Sequence, residues 1–148
     1  MSGSEIKRHG SANRFLGWDI AGDGNVIYNL SHLFMRDVQV AVLVYSIDSK
    51  KSFDNLDEWL EILNETNERE DYSTFLIGNK SDLYDNRAVP ERFGENKSSE
   101  IPQCIMFKET STYNDVRSVE NLFKEIGAAI IKKKHATKSR RNSIKLTH

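Results

Sequence analysis

The sequence has little cysteine, no long apolar run and almost no net charge, and each shortage excludes a class of protein. Cys104 is the only cysteine among 148 residues, so no internal disulfide can form. No apolar run approaches the ~20 residues of a membrane-spanning helix, and the first ten residues lack the apolar core of a secretory signal. The net charge of -1 provides no positive field for nucleic acid. We therefore expect a cytoplasmic protein without nucleic-acid partners.

What the sequence does contain is an alternation of strand-like and helix-like segments. Valine-rich and leucine-rich runs indicate strands that are buried on both faces of a parallel sheet. Strands are predicted over 14–20, 38–47, 73–78 and 104–111. Apolar residues at helical spacing predict helices over 49–65 and 116–134. A weaker helix, which lacks strong periodicity and contains Gly94, is predicted over 91–99. Strands separated by helices predict an α/β fold with a mostly parallel sheet flanked by helices.

The composition changes near the C-terminus. Residues 132–148 contain seven lysines or arginines and few apolar residues. We expect 135–148 to form a basic tail that is disordered beyond the last helix. One interpretation is a solvated terminus. The other is a weak contact with anionic membrane, worth ~1 kcal/mol per charge near the surface.

Polar segments follow three of the predicted strands. WDIAGDG spans 18–24, NKSD spans 79–82 and ETST spans 109–112. In open α/β sheets, ligands bind beyond the carboxyl ends of the strands. Each segment alone is short enough to occur by chance, and Asn and Asp are favoured in turns anyway. Three such segments at strand ends together predict one ligand site.

These segments resemble the loops of a small GTPase of the Ras superfamily. GNKSDL resembles the guanine-specificity loop, WDIAG resembles the family's Trp-Asp-Thr-Ala-Gly segment, and ETS resembles the start of its Glu-Thr-Ser-Ala-Lys loop. The stretch LVYSIDSKKSFDNLDEWL is similar to the Rab branch. The resemblance covers about 12–134, which implies a small-GTPase-like domain after a short N-terminal segment, 1–11. It implies a regulator of signalling or vesicle traffic that binds GTP or GDP with Mg²⁺ and contacts protein effectors or regulators.

The resemblance assigns guanine recognition to five residues. Asp82 would accept hydrogen bonds from N1–H and the exocyclic amine of guanine, a pair of donors that adenine does not present. Asn79 would tie the loops together and reach the base edge, and the stem of Lys80 would lie over the ring with its head in water. Ser111 would brace the Asp82 loop. The backbone N–H of Thr112 would face the guanine carbonyl oxygen.

The resemblance fails at the phosphate end. A phosphate-binding loop has the sequence Gly-x4-Gly-Lys-Ser/Thr, and none of the eight glycines here is followed by lysine. The first strand, the phosphate loop, the first helix and the first switch of the family have no counterpart in the sequence. We therefore expect a partial small-GTPase (P-loop NTPase) fold, N-terminally truncated or atypical, that binds guanine nucleotide weakly or not at all.

Four further positions bear on chemistry. By resemblance, Asp19 would reach Mg²⁺ through water and the Gly22 N–H would face a γ-phosphate. The family's water-positioning glutamine falls at Asp23, whose charge would repel the γ-phosphate. We therefore assign no catalytic residue, and whether the chain acts as an enzyme stays open. Tyr113 stands where the family has a base-covering lysine, and it could stack on the base or block the slot.

Three functions stay open at this point. The first is a guanine-nucleotide-binding switch, and the second is a non-catalytic pseudo-GTPase interaction module that binds no nucleotide. The third is a truncated fragment of a complete GTPase. The sequence ends in SIKLTH, without the C-terminal cysteine that carries a prenyl group in Rab-like proteins, so no lipid anchor is expected.

Overall fold

A computed structural model describes residues 3–6, 15–18, 35–69, 71–113 and 116–145. Its elements are, in chain order, β1 (Gly3–Ile6), β2 (Phe15–Trp18), β3 (Val40–Ser46), α1 (Lys50–Asp54), α2 (Leu56–Thr66), β4 (Ser73–Asn79), α3 (Glu91–Glu100), β5 (Cys104–Glu109) and α4 (Val116–Lys145). A short 3₁₀ turn, Tyr84–Asn86, precedes α3. Within these ranges, no helix is both long and apolar enough to cross a bilayer.

The strands β3, β4 and β5 form a parallel sheet with β4 in the centre. The pairing of β3 with β4 runs from Val40 opposite Ser73 to Ser46 opposite Asn79 without a shift. Every β4 residue before Asn79 is buried, as its apolar run predicts. The expected parallel sheet is therefore confirmed, and the carboxyl ends of β4 and β5 meet at one edge.

Helices cover both faces of the central strand β4, whose successive side chains point to opposite sides of the sheet. On the edge strand β3, Val42 and Val44 are 38% and 55% exposed, so the described residues do not cover that face of β3. Phe75 and Ile77 face α4, whereas Leu76 faces the side on which α1 and α2 pack. The first cluster contains Phe75, Ile77, Leu122, Ile126 and Ile130. The second contains Tyr45, Ile47, Phe53, Leu56, Leu60, Leu76, Val89 and Ile101. A third cluster, Met35, Ile62, Leu63 and Tyr72, lies around α2 and the start of β4.

A second sheet consists of β1 and β2, which pair antiparallel with Gly3 opposite Trp18 and Ile6 opposite Phe15. The strand β2 lies within the predicted segment 14–20. We did not predict β1, because a four-residue polar segment with one large apolar side chain carries no period-2 signal. Its strand conformation is stabilised by backbone pairing with β2, and not by an alternating pattern of its own side chains.

Two helix boundaries differ from the predictions. The segment 49–65 contains two helices, α1 and α2, with Asn55 between them. Two bonds with helical spacing run across this position, from the Asn55 N–H to the Lys51 carbonyl and from the Trp59 N–H to the Asn55 carbonyl. The last helix continues past the predicted end at Lys134 to Lys145, so 135–145 is helical and not the disordered tail that we expected. That segment has no glycine or proline, and four of its eleven residues are lysine or arginine, which are good helix formers. The division of the chain into 1–11, 12–134 and 135–148 stays a prediction.

The helix α3 lies close against the sheet at Gly94. A Cβ atom there would lie 2.6 Å from the Tyr45 hydroxyl oxygen and nearer still to the Phe107 ring. Only glycine fits without displacing a core aromatic residue. The glycine that weakens the helical pattern of 91–99 is therefore what allows this helix to pack.

Candidate functional site

The candidate site lies at the edge of the sheet where β4 and β5 end. The segments that follow these strands are joined through their backbones. The Thr110 N–H donates to the Gly78 carbonyl at 2.8 Å, and the Ser81 N–H donates to the Thr110 carbonyl at 3.0 Å. Because the strands are parallel neighbours, NKSD and ETST lie side by side as predicted.

Asp82 and Ser111 are in direct contact. The Ser111 hydroxyl donates a hydrogen bond to the Asp82 carboxylate oxygen Oδ1. The same hydroxyl oxygen accepts from the Tyr113 N–H at 3.2 Å, and the Ser118 hydroxyl donates to the Ser111 carbonyl at 2.6 Å. Both Asp82 and Ser111 are half-buried. Ser111 therefore contacts the Asp82 side chain in the way that the expected bracing of this loop requires.

Lys80 has a backbone conformation that side chains other than glycine rarely adopt. Its φ is 63°, in the left-handed region, where strain of about 1–3 kcal/mol marks a candidate functional position. Lys80 is exposed, as expected for a side chain with its head in water, and its ammonium Nζ lies 3.4 Å from the Asp48 carboxylate. The backbone of Lys80 closes a turn, since its carbonyl accepts from the Leu83 N–H at 2.9 Å.

Asp48 is a residue that the sequence reasoning missed. It follows β3 at the same edge of the sheet, and its carboxylate accepts the Ser46 hydroxyl as well as contacting Lys80. The hydrogen bond from Ser46, ahead of the attraction of Lys80, holds the pKa of Asp48 below its ordinary value. Its position after a predicted buried strand was a signal that could have identified it.

Asn79 presents a buried acceptor. Its backbone carbonyl accepts from the Ile47 N–H at 3.0 Å, which ties the ends of β3 and β4 together. Among the residues that the structure describes, its side-chain oxygen Oδ1 is buried and has no hydrogen-bond partner. A buried acceptor without a donor is costly, so this atom suits a donor from a ligand or from another part of the chain.

Thr112 and Tyr113 lie on the solvent side of the site. Thr112 is exposed, and the side chain of Tyr113 is 86% exposed. An exposed ring next to Ser111 is available as a flat surface, but whether it stacks on a base or blocks the slot stays a prediction.

The phosphate and metal half of the prediction concerns Asp19, Gly22 and Asp23, all of which lie outside the described residues. Their assigned roles therefore remain predictions. In the part of the chain that the structure covers, no group of three or more His, Cys, Asp or Glu side chains is arranged to hold a metal ion.

Comparison with known proteins identifies the family. The Ras family model matches residues 3–132. The Ras-related protein RabJ of Dictyostelium discoideum is 36% identical over 130 residues, which cover 88% of this chain and 49% of that protein. The Ras-related protein Rab-10 of Diplobatis ommata is 31% identical over 128 residues, which cover 86% of this chain and 62% of that protein.

These matches settle the class of protein that the sheet and its loops define. The chain belongs to the Ras family and is a Rab-like member of the small-GTPase superfamily. The recognition made from the loop motifs is confirmed, as is the partial small-GTPase fold. The chain spans about half to three-fifths of the length of the two relatives.

Proposed function

We propose that this chain is a Rab-like regulator that recognises guanine through the loops after β4 and β5. The observation that carries the proposal is the hydrogen bond between Ser111 and Asp82. It holds a carboxylate at the edge of the sheet where two loops meet. Guanine offers two adjacent donors, N1–H and the exocyclic amine, which match a carboxylate. Adenine has an acceptor at N1, so one carboxylate oxygen would face a lone pair.

The neighbouring residues complement the rest of the base. The buried Oδ1 atom of Asn79 lies without a donor among the described residues, which suits a role in tying the loops together around a ligand. Contact with Asp48 restrains Lys80, whose stem would cover one face of the ring. The backbone N–H of Thr112 would donate to the guanine carbonyl oxygen.

GTP or GDP with Mg²⁺ would be the ligand. In this proposal the Gly22 N–H would face the γ-phosphate, and Asp19 would reach Mg²⁺ through water. Since the sequence has no Gly-x4-Gly-Lys-Ser/Thr motif, the chain itself supplies few phosphate contacts and binds the nucleotide weakly. Asp23 in place of a glutamine argues against hydrolysis, because its charge opposes that of the γ-phosphate.

The second candidate is a pseudo-GTPase interaction module that binds no nucleotide. It is favoured by Tyr113, a bulky exposed ring where the resemblance expects a lysine. In either case we propose a cytoplasmic protein that acts through protein effectors or regulators in signalling or vesicle traffic.

A weak membrane contact through α4 belongs to the same proposal. Lys134, Lys138, Arg141 and Lys145 form a row of basic residues that are spaced three or four positions apart in the sequence of α4. No acidic residue follows Glu125 in the sequence. A row of this kind suits an anionic lipid surface, and without an apolar face it supports reversible adsorption only.

Titration calorimetry with GDP and ADP tests guanine recognition. We expect the wild-type chain to bind GDP more tightly than ADP, and Asp82→Ala to reduce GDP affinity by about ten-fold or more, since a hydrogen bond to a charged group contributes ~1.5–3 kcal/mol. Asp85→Ala is the matched control, because Asp85 is an exposed aspartate in the same loop. Equal affinity for GDP and ADP, or an unaffected Asp82→Ala variant, would contradict the proposal. Absence of any binding would favour the interaction module.

A further inference from the structure

Arg87 and Glu109 form a two-bond ion pair beside the candidate site. Arg87 Nη1 donates to Glu109 Oε1 and Nη2 donates to Oε2, both at 2.7 Å. Nη1 also donates to the Val89 carbonyl at 3.1 Å. The Glu109 side chain is only 10% exposed, and that of Arg87 is 24% exposed. A paired fork of this kind restricts both distance and orientation, unlike a single contact at the surface.

The position of this pair in the chain connects it to the base site. Arg87 lies in the segment between β4 and α3, five residues after Asp82, and Glu109 is the last residue of β5, two residues before Ser111. The ion pair therefore joins the same two segments as the bond between Ser111 and Asp82. The backbone bond from Ser81 to Thr110 also joins these segments, next to Asp82 on one side and between Glu109 and Ser111 on the other.

The surroundings of Glu109 restrict its movement. A Cβ atom at Gly78 would lie 3.1 Å from Glu109 Cγ and 2.9 Å from the Tyr45 hydroxyl oxygen. The glutamate stem thus packs against the backbone of β4. Because this charge is largely removed from water, loss of its arginine partner leaves it uncompensated, and the segment has to move to rehydrate it.

We propose that Arg87 and Glu109 are positioning residues for the guanine site. They hold the segments that carry Asp82 and Ser111 at a fixed separation, and so determine how well the site distinguishes guanine from adenine. This inference rests on the proposed function. It adds two residues to the site that do not touch the base.

A second ion pair on the same strand is the control for a merely structural effect of removing a glutamate charge. Lys108, the neighbour of Glu109, pairs with Glu125 of α4, also at 2.7 Å. This pair does not connect the two loops. Glu109→Gln and Glu125→Gln each remove one glutamate charge from an ion pair of β5. Only Glu109 pairs with the segment that carries Asp82.

The experiment combines GDP and ADP calorimetry with amide hydrogen exchange at Ser81 and Thr110 on the full chain. For Glu109→Gln we expect about five- to ten-fold weaker GDP binding and unchanged ADP binding. Hydrogen exchange at both amides should be about ten-fold faster. These effects correspond to the loss of one charge-assisted hydrogen bond. Arg87→Lys keeps the charge but loses the fork, and should show a smaller change in the same direction. Glu125→Gln should leave binding and both amides unchanged.

Three outcomes would overturn the inference. In the first, Glu109→Gln changes neither the exchange rates nor the GDP affinity. In the second, Glu125→Gln has effects equal to those of Glu109→Gln. In the third, Glu109→Gln lowers the stability and reduces the affinities for GDP and ADP equally. If the wild-type chain binds no GDP, the proposed function fails, but the exchange rates at Ser81 and Thr110 still report whether the ion pair holds the two segments together. Unchanged exchange in that case would refute the positioning role as well.

Discussion

Ser111 and Asp82 are 29 positions apart in the chain and are joined by a hydrogen bond between hydroxyl and carboxylate. The contact exists because β4 and β5 are neighbouring parallel strands whose following segments leave the sheet at the same edge. A charged acceptor held by a neutral donor is oriented without being neutralised. This arrangement suits the proposed contact between Asp82 and the two donors of guanine.

Ser111→Ala should weaken GDP binding without unfolding the chain. The substitution removes the donor that orients Asp82, and a single hydrogen bond of this kind contributes ~1 kcal/mol or somewhat more, so we expect about a five-fold to ten-fold loss of affinity. Calorimetry provides the measurement. Ser99→Ala is the control, since the Ser99 hydroxyl bonds only within α3, to the Glu95 carbonyl. Equal GDP affinities for wild type and Ser111→Ala would show that the hydroxyl does not orient Asp82.

The 148-residue chain should bind GDP no more tightly than roughly micromolar and should not hydrolyse GTP. Each phosphate hydrogen bond contributes ~1.5–3 kcal/mol, and the sequence lacks the motif that would supply four or five of them. Nucleotide content after dialysis and phosphate release measure these two quantities. Stoichiometric GDP retained after dialysis would contradict the first prediction. Phosphate release that disappears in Asp19→Ala would contradict the second.

Gly94→Ala should destabilise the fold by about 1–3 kcal/mol, despite the higher helix propensity of alanine. The added methyl group would collide with Phe107 and the Tyr45 hydroxyl. Urea unfolding measures the difference. Asn96→Ala, at an exposed position of the same helix, should be neutral or slightly stabilising because only propensity changes there. If both variants stabilise the chain, the close approach of α3 to the sheet is not maintained in solution.

The free energy of unfolding of the Tyr45→Phe variant should decrease less at alkaline pH than that of the wild type. Burial, and next the charge of Glu109, raise the pKa of Tyr45 to about 12 from 10.0. Because the folded state holds this proton more tightly than the unfolded state, the stabilisation is complete below pH 10 and declines as pH rises towards 12. At pH 11 the wild type should lose about 1 kcal/mol more, relative to pH 8, than the variant.

Denaturant unfolding of both proteins at pH 8 and pH 11 measures this difference. At pH 8 the variant should be at least as stable as the wild type. Among the described residues the Tyr45 hydroxyl is buried without a partner, so its removal costs no hydrogen bond. Parallel pH dependence in the two proteins would exclude Tyr45 as the titrating group.

Binding to vesicles should require anionic lipid and should decrease as salt rises. Each basic residue near the surface contributes ~1 kcal/mol, and screening shortens the range of this attraction to ~10 Å at 0.1 M salt. Deletion of 135–148 should abolish co-sedimentation. Replacement of the row Lys134, Lys138, Arg141 and Lys145 by glutamine should do the same, whereas Lys50→Gln with Lys51→Gln on α1 should not. Binding to neutral vesicles, or binding that is independent of salt, would rule out an electrostatic contact.

Much of the sheet and of the site could be predicted locally. The strand β4 carries an apolar run because both of its faces are covered, and burial on both faces requires such side chains. The strand β3 carries a similar run, but its Val42 and Val44 are exposed to the extent of 38% and 55% among the described residues. The segments NKSD and ETST were recognisable from their residues and from the strands before them. Their meeting at one edge followed from the parallel order of the strands.

Other features depend on contacts that no local pattern encodes. The left-handed backbone of Lys80 and its contact with Asp48 require β3 and β4 to be neighbours, and the ion pair of Arg87 with Glu109 requires β4 and β5 to be neighbours. Lys80 and Asp48 each follow a predicted strand, but nothing in the sequence indicates that their side chains meet, and the same is true of Arg87 and Glu109.

By itself, the sequence determined which segments are buried and which loop motifs the chain carries, because burial and turn chemistry act on neighbouring residues. The tertiary structure decided which distant charges meet. It placed Glu109 beside Arg87. It also brought α3 so close to Phe107 and Tyr45 that the helix requires glycine at position 94. The physical reason is that an ion pair or a close approach depends on the spatial order of strands, and that order results from the packing of the whole core.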